Sequence, residues 1–252
     1  MDPKERFSSR VDHYVKFRPG YPPEILTPLQ ERCGLSPNSI VADVGSGTGL
    51  LARLFLDLGC RVFGVEPNAA MRAAGEQFLA AYPRFASLDG SAEATGLPDQ
   101  AVDFITAGQA FHWFDLPRAR REFERILKPG GWLVLVWNER RINATPFLRA
   151  YEELLLQYGT DYTTVRHQHL DEGIIRDFYG SDGLRIETFD NAQYFDLEGM
   201  QGRLLSSSYV PAAGQPGHAE ILAGLERIFH RYQVGGKVAF EYDTRLYYGR
   251  LG

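Results

Sequence analysis

The segment VADVGSGTGLLARLF, residues 41–55, constrains the fold of this chain more than any other. An apolar, β-rich run meets three glycines at alternate positions and then apolar residues at helical spacing, so a strand enters a tight turn and leaves it as a helix. Gly45, Gly47 and Gly49 permit positive φ and place no Cβ in the way, and the expectation is that backbone N–H groups of the turn are presented to a ligand at the helix start. Asp43, at the end of the strand, can hold an ammonium group or shape the turn.

The alternation continues through residues 40–140. Ile40–Val44, Arg61–Glu66, Phe85–Asp89, Val102–Gly108 and Gly131–Asn138 read as strands buried on both faces, and Gly49–Leu58, Asn68–Ala81 and Leu116–Leu127 as amphipathic helices between them. That pattern is a parallel sheet with crossover helices. Ahead of it, Tyr21–Gly34 reads as a leading helix with Pro22 and Pro23 near its start and Gly34 as a left-handed cap. After the fifth strand the alternation breaks. Pro146–Tyr158, Asp171–Tyr179, Leu197–Ser206 and His218–Tyr232 look helical, whereas Arg185–Phe195 and Lys237–Tyr248 look like strands, so the sheet is expected to be completed at its edge beneath a helical cap. The 252 residues fit one domain: an N-terminal lid and leading helix over 1–39, a ligand-binding core over 40–140 and cap insertions over 145–235.

Charge narrows the partners. Asp and Glu number 32 against 27 Lys and Arg, a net −5, which disfavours tracking along nucleic-acid phosphates. No apolar run approaches the ~20 residues of a bilayer span, and the opening MDPKERFSSR lacks the apolar stretch of a secretory signal, so a cytosolic protein is expected. Cys33 and Cys60 form no CxxC and are expected as small buried hydrophobes. His167 and His169 make an HxH pair without a third donor at convincing spacing, so no metal is expected. Aromatic residues, at 13%, gather partly in the second half and hint at an apolar pocket or cap.

Glu66 ends the second strand, where an acid can accept both hydroxyls of a ribose, and with the glycine turn this points to an adenosine-bearing ligand. A dinucleotide fingerprint would need glycine at position 50, where Leu50 stands, so a nicotinamide-dependent oxidoreductase is the weaker reading.

The DxGxGxG of residues 43–49, together with RILKPGGWLVL at 125–135, resembles the class I S-adenosylmethionine-dependent methyltransferases over about residues 5–140. The resemblance implies an α/β, Rossmann-like, seven-stranded sheet, mostly parallel with the last strand antiparallel, and helices on both faces. It implies S-adenosylmethionine as cofactor, with Gly45, Ser46, Gly47 and Gly49 along its methionine part, Asp43 under the amino group, Glu66 on the ribose, and Pro67 and Met71 against the adenine. Ser91 stands where many relatives place an Asp on the adenine amino group, which shifts that role to the Ala92 backbone and Glu93. GQAFHWF, residues 108–114, resembles a small-molecule subgroup that includes trans-aconitate methyltransferase-like proteins rather than the DPPY of base methylases. In that subgroup Gln109 would contact cofactor backbone, and His112 and Trp113 would face the acceptor. YVKFRPGYP, residues 14–22, resembles the same subgroup's opening, where Arg18 pairs with the ligand carboxylate and Tyr14 closes over the sulfonium. The implied reaction is an in-line methyl transfer to a small molecule, a carboxylate among the candidates. A carboxylate needs no general base; for a phenol or amine His112 would take the proton. A protein that binds the same cofactor without chemistry shares every turn residue.

Overall fold

The computed structural model describes residues 17–160, 162, 171–180, 183–207 and 209–252. Seven strands form one sheet: β1 (Ile40–Val44), β2 (Arg61–Val65), β3 (Phe85–Leu88), β4 (Val102–Gly108), β5 (Leu127–Arg140), β6 (Arg185–Phe195) and β7 (Val238–Gly249), in the order β3-β2-β1-β4-β5-β7-β6. The first five are parallel, and β7 runs antiparallel to both β5 and β6. The sequence-derived strands overlap the observed ones throughout. β5 starts earlier than expected, because Leu127 pairs with Val102 before a register shift at the Pro129–Gly131 turn. The expectation that β3 is buried on both faces is corrected: its four residues are only half-buried, since β3 is an edge strand covered on one side by β2.

Helices α1 (Leu26–Cys33), α2 (Leu50–Leu58), α3 (Ala69–Phe78) and α4 (Leu116–Ile126) serve the parallel half. A 3-10 turn at Pro23–Ile25 leads into α1, and Gly34 ends it at φ +75°, a left-handed cap. Asn68 starts α3, its carboxamide oxygen accepting from the Ala70 and Met71 amides, both at 3.0 Å. Such a cap is worth about 1 kcal/mol and sets where the chain leaves β2. On one face of the sheet Leu29 of α1 and Leu51 and Phe55 of α2 bury against Val41, Val134 and Val136. On the other, Phe123 and Ile126 of α4 pack on Ile105, Leu133 and Leu135.

The later helices are α5 (Pro146–Tyr158), α6 (Glu172–Tyr179), α7 (Leu197–Leu205) and α8 (His218–Tyr232). Residues 145–235 do not all form a cap. Ile175, Phe178 and Tyr179 of α6 join the core beneath α4, and the Tyr179 hydroxyl donates to the Leu133 carbonyl at 3.1 Å, so α6 is a sheet-covering helix. α5, α7 and α8 form a separate apolar cluster with Val238, Phe240 and Tyr242 of β7. Cys60 is buried as expected, but Cys33, in the last turn of α1, is only half-buried; both are free thiols. No helix of the described residues is long and apolar enough to cross a membrane.

Candidate functional site

Strand order reverses between β1 and β4: from β1 the chain moves outward to β2 and β3, then returns to β4 on the other side. Ligands of open α/β sheets bind beyond the carboxyl ends of the strands at such a point. The glycine turn lies there, with Gly45, Gly47 and Gly49 at φ +68°, +55° and +82°.

Contrary to the expectation for the whole turn, the amides of Gly45, Ser46, Gly47 and Gly49 are taken up within the protein. Gly45 and Ser46 donate to the Val65 carbonyl at 2.9 and 3.2 Å, Gly49 donates to Ser46 at 2.8 Å, and Gly47 donates to Glu66 Oε2 at 2.9 Å. The bend is tight enough to satisfy itself against the end of β2. What it offers is clearance: a Cβ on Gly47 would meet only the Met71 methyl, 3.4 Å away, so a ligand can lie directly on the backbone.

Two polar atoms beside this clearance are buried and unpartnered, Asp43 Oδ2 and Thr48 Oγ1. Asp43 is 1% exposed, and its Oδ1 accepts from the Thr106 hydroxyl at 2.9 Å. Burial pushes its pKa up to about 7, the Thr106 hydroxyl and the Ala52 amide at the start of α2 pulling the other way. Glu66, on the residue after β2, accepts from the Gly47 amide with one oxygen and from the Asn68 amide, at 2.8 Å, with the other. Burial also raises Glu66 above the usual carboxylate range. Each of its oxygens has taken one hydrogen bond and retains capacity for a hydroxyl. Met71 is buried with its methyl over Gly47, and Pro67 stands half-buried beside Glu66.

The next loop is built around itself. Ser91 and Ala94 exchange backbone hydrogen bonds of 3.0 and 3.2 Å, burying Ala92. Glu93 Oε1 accepts from the Asp115 amide at 2.8 Å. Although burial opposes it, hydrogen bonds from Ser91 and Asp115 hold the Glu93 carboxyl below its ordinary range. Glu93 is therefore engaged in tying this loop to the start of α4.

Gln109 differs from expectation. Its side chain reaches β5: Oε1 accepts from the Asn138 amide at 2.8 Å, and the carboxamide thereby extends the β4–β5 pairing past Gly108. Its φ of +55° is one of two positive values among the described non-glycine residues, a conformation costing on the order of 1–2 kcal/mol. His112 follows in a 3-10 turn at Phe111–Trp113, its ring 4.4 Å from Trp113 and 5.1 Å from Trp137. Burial lowers its pKa to about 4, and Nδ1 is buried without a partner, so the imidazole is neutral and acceptor-capable at pH 7. Trp113 is 37% exposed.

Arg18 donates to the Ser206 carbonyl at 3.2 Å, which places it against the end of α7 in the cap. Tyr14, His167 and His169 lie outside the described residues. Sequence reasoning missed the residues that hold the segment around Arg18 in place. Asn138 and Asn191 both donate to the Gly20 carbonyl, at 3.1 and 2.9 Å, and the Tyr21 hydroxyl covers Gly108, where no side chain would fit. Polar residues late in strands were the available signal.

The donor set fits a nucleoside-linked amino acid. Asp43 Oδ2 is an orphaned buried acceptor for an ammonium, Gly47 leaves the main chain bare, and Glu66 stands at the end of the next strand for a diol. The fit lies in these residues' chemistry.

Comparison with known proteins agrees with the geometry. A family model described as a methyltransferase domain matches residues 42–135. An uncharacterized methyltransferase-like protein of Schizosaccharomyces pombe is 31% identical over 248 residues, covering 96% of this chain and 93% of that protein. An uncharacterized methyltransferase of Mycobacterium tuberculosis is 40% identical over 134 residues, 53% of this chain, and the match spans about half, 52%, of that relative. Among solved structures, a protein described as a Type II methyltransferase from Anaeromyxobacter dehalogenans superimposes with a TM-score of 0.66 at 24% identity, over 93% of this chain and 98% of that one. At that identity the likeness concerns the fold.

Proposed function

Since the chain belongs to the class I, S-adenosylmethionine-dependent methyltransferase family, we propose that it transfers a methyl group to a small-molecule acceptor, a carboxylate being the preferred acceptor chemistry. The observation that carries the reading is the buried, unpartnered Asp43 Oδ2 beside the bare backbone of Gly47. A lone acid in that position gains from a cation; a pyrophosphate would meet like charge there, which argues against a nicotinamide dinucleotide.

When bound, the donor supplies a methyl group already activated on a positively charged sulfur. The chain's own residues provide placement. Asp43 receives the ammonium, Glu66 receives the ribose hydroxyls while keeping Gly47 fixed through its amide, and Met71 and Pro67 offer apolar surface for the base. Ala92 and the Ser91–Glu93 loop bound the same space. Aligning two reactants in this way can be worth roughly 7–11 kcal/mol. His112 is a neutral imidazole at pH 7 and, at a pKa of about 4, a weak base. It suits donating its one N–H to an acceptor that is ionised already rather than carrying a proton away.

Calorimetry with S-adenosylhomocysteine, followed by incubation with tritium-labelled methyl donor and a panel of carboxylic acids, phenols and amines, tests this. Micromolar binding and label transfer to an acid are expected. Tight binding with no transfer to any class would favour a non-catalytic cofactor-binding protein, and no binding would overturn the reading.

A further inference from the structure

The cap buries a cation that the described residues leave unbalanced. Arg203, on α7, is 7% exposed; its Nε donates to the Tyr242 hydroxyl at 3.4 Å and its Nη1 to the Ser207 hydroxyl at 3.2 Å. Both partners are neutral, and no carboxylate of the described residues pairs with it. Taking a guanidinium out of water without a counter-charge costs several kcal/mol. Nearby on the sheet the contrast is plain, for the half-exposed Arg141 is paired with both Asp190 and Asp243.

Further donors gather around Arg203. Arg140, at the end of β5, gives Nη2 to Glu152 and, at 2.8 Å, to the Tyr162 hydroxyl, but its Nη1 is buried with no partner. Tyr151, 2% exposed, carries an equally unpartnered hydroxyl, and its ring lies 4.8 Å from the Arg140 guanidinium carbon. Burial alone would raise the phenol of Tyr209, yet the guanidiniums of Arg203, Arg140 and Arg18 outweigh it and hold that phenol below its ordinary value. The cluster sets the guanidiniums of Arg203 and Arg140 against the single buried carboxylate of Glu152, so it is net positive, with donors at Arg140 Nη1 and Tyr151 left over. Guanidinium forks and phenolic hydroxyls in that balance match an oxyanion.

Its place in the fold connects it to the site already described. Arg140 lies two residues past Asn138, whose amide donates to Gln109, so both clusters occupy the same end of the sheet. Gln193 links the cluster to the segment before Tyr21, accepting from the Tyr242 hydroxyl at 3.2 Å and donating to the Phe17 carbonyl at 3.4 Å.

We propose that Arg203, Arg140 and Tyr151 form an oxyanion subsite under the cap, which holds a carboxylate or phosphate group of the methyl acceptor other than the atom that is methylated. That the ligand is an acceptor rests on the methyl-transfer reading; the subsite itself rests on the cluster.

The test is calorimetric titration of the full chain with succinate and, separately, inorganic phosphate, each with and without S-adenosylhomocysteine. Saturable binding of at least one anion is expected, weakened about tenfold or more in Arg203→Gln, a loss of about 1.4 kcal/mol or more. Tyr151→Phe removes only an unpartnered hydroxyl, so it should keep its melting temperature and still weaken binding severalfold, which preserves the test should Arg203→Gln fail to fold. Binding of succinate alone identifies a carboxylate and binding of phosphate alone a phosphate ester. Absence of saturable binding by either anion, or unchanged affinity in the folded variants, would overturn the subsite. Anion binding that depends on Arg203 in a protein that does not bind S-adenosylhomocysteine would support the subsite and remove the methyl-transfer reading instead.

Discussion

The two ends of the site bury opposite charges. Beside the glycine turn, Asp43 is enclosed with one oxygen unpartnered; under the cap, Arg203 is enclosed with only neutral partners. Elsewhere several described charges are matched, as where Arg125 meets Asp99 and Glu122, or Arg141 meets Asp190 and Asp243. An unbalanced buried charge is a cost that folding alone does not recover, and its sign tells which ligand would recover it. On the proposed reading, the parallel half of the molecule receives a cation and the cap an anion.

The severest way to break that comparison is to fill the clearance on the donor side. Gly47→Val places a branched side chain at φ +55° in the space otherwise bounded by the Met71 methyl. S-adenosylhomocysteine affinity should fall on the order of a hundredfold, about 2.7 kcal/mol, in calorimetry, while succinate binding at the cap remains. Equal loss at both would show that the two charged clusters are one unit. Asp43→Asn sharpens the contrast. A carboxyl whose folded pKa is raised contributes stability below the unfolded value, near 4, and loses it as pH rises through about 7. At pH 8 the ionised Asp43 therefore costs up to about 4 kcal/mol, from roughly three pKa units. The variant should melt higher than the parent at pH 8, melt alike at pH 4, and bind S-adenosylhomocysteine more than about tenfold more weakly. A melting difference independent of pH would mean that Asp43 is not the buried acid described.

The two halves were unequally legible in the sequence. In the parallel half, strands need two apolar faces and the crossover helices need one, so β1, β4 and α2 announce themselves by composition and spacing. Asp43 and Glu66 could be placed from their distance to the glycines, and Met71 from the family resemblance. The direction of the turn amides could not, because it depends on the Val65 carbonyl and Glu66 carboxylate, which approach only once β2 pairs with β1. Nor could the role of Gln109, whose partner Asn138 is a neighbour only across the sheet. The cap cluster was hidden for the same reason carried further. Arg140, Tyr151, Arg203 and Tyr242 come from four elements, and in sequence each reads as an ordinary amphipathic residue.

His112 follows β4 and meets Trp137 of β5 edge to face. Its folded pKa of about 4 lies below the ordinary 6.5, so the unfolded chain binds the extra proton first as pH falls. Stability should therefore decline between about pH 6.5 and 4 by on the order of 3 kcal/mol, and a His112→Leu variant should lack that decline. The same variant should lower turnover more than S-adenosylhomocysteine affinity. Denaturant titrations at several pH values and paired kinetic and calorimetric measurements check the two statements; an equal pH dependence in both proteins would return His112 to an exposed, ordinary imidazole.

The smallest effect concerns the backbone between the halves. Gln109→Ala and Gln109→Gly both remove the hydrogen bond to the Asn138 amide, so their difference isolates the positive φ at this position. In a helix or strand glycine is the less stable of the pair by roughly 0.5–1 kcal/mol. Here the order should reverse, with Gln109→Gly the more stable by about 1 kcal/mol, because alanine must place its Cβ against the following carbonyl. Equal stability would mean that the junction relaxes to negative φ once the carboxamide is gone. In that case the Gln109–Asn138 hydrogen bond, rather than the packing of Ala110 against the glycine turn, is what holds the acceptor side in register with the donor side.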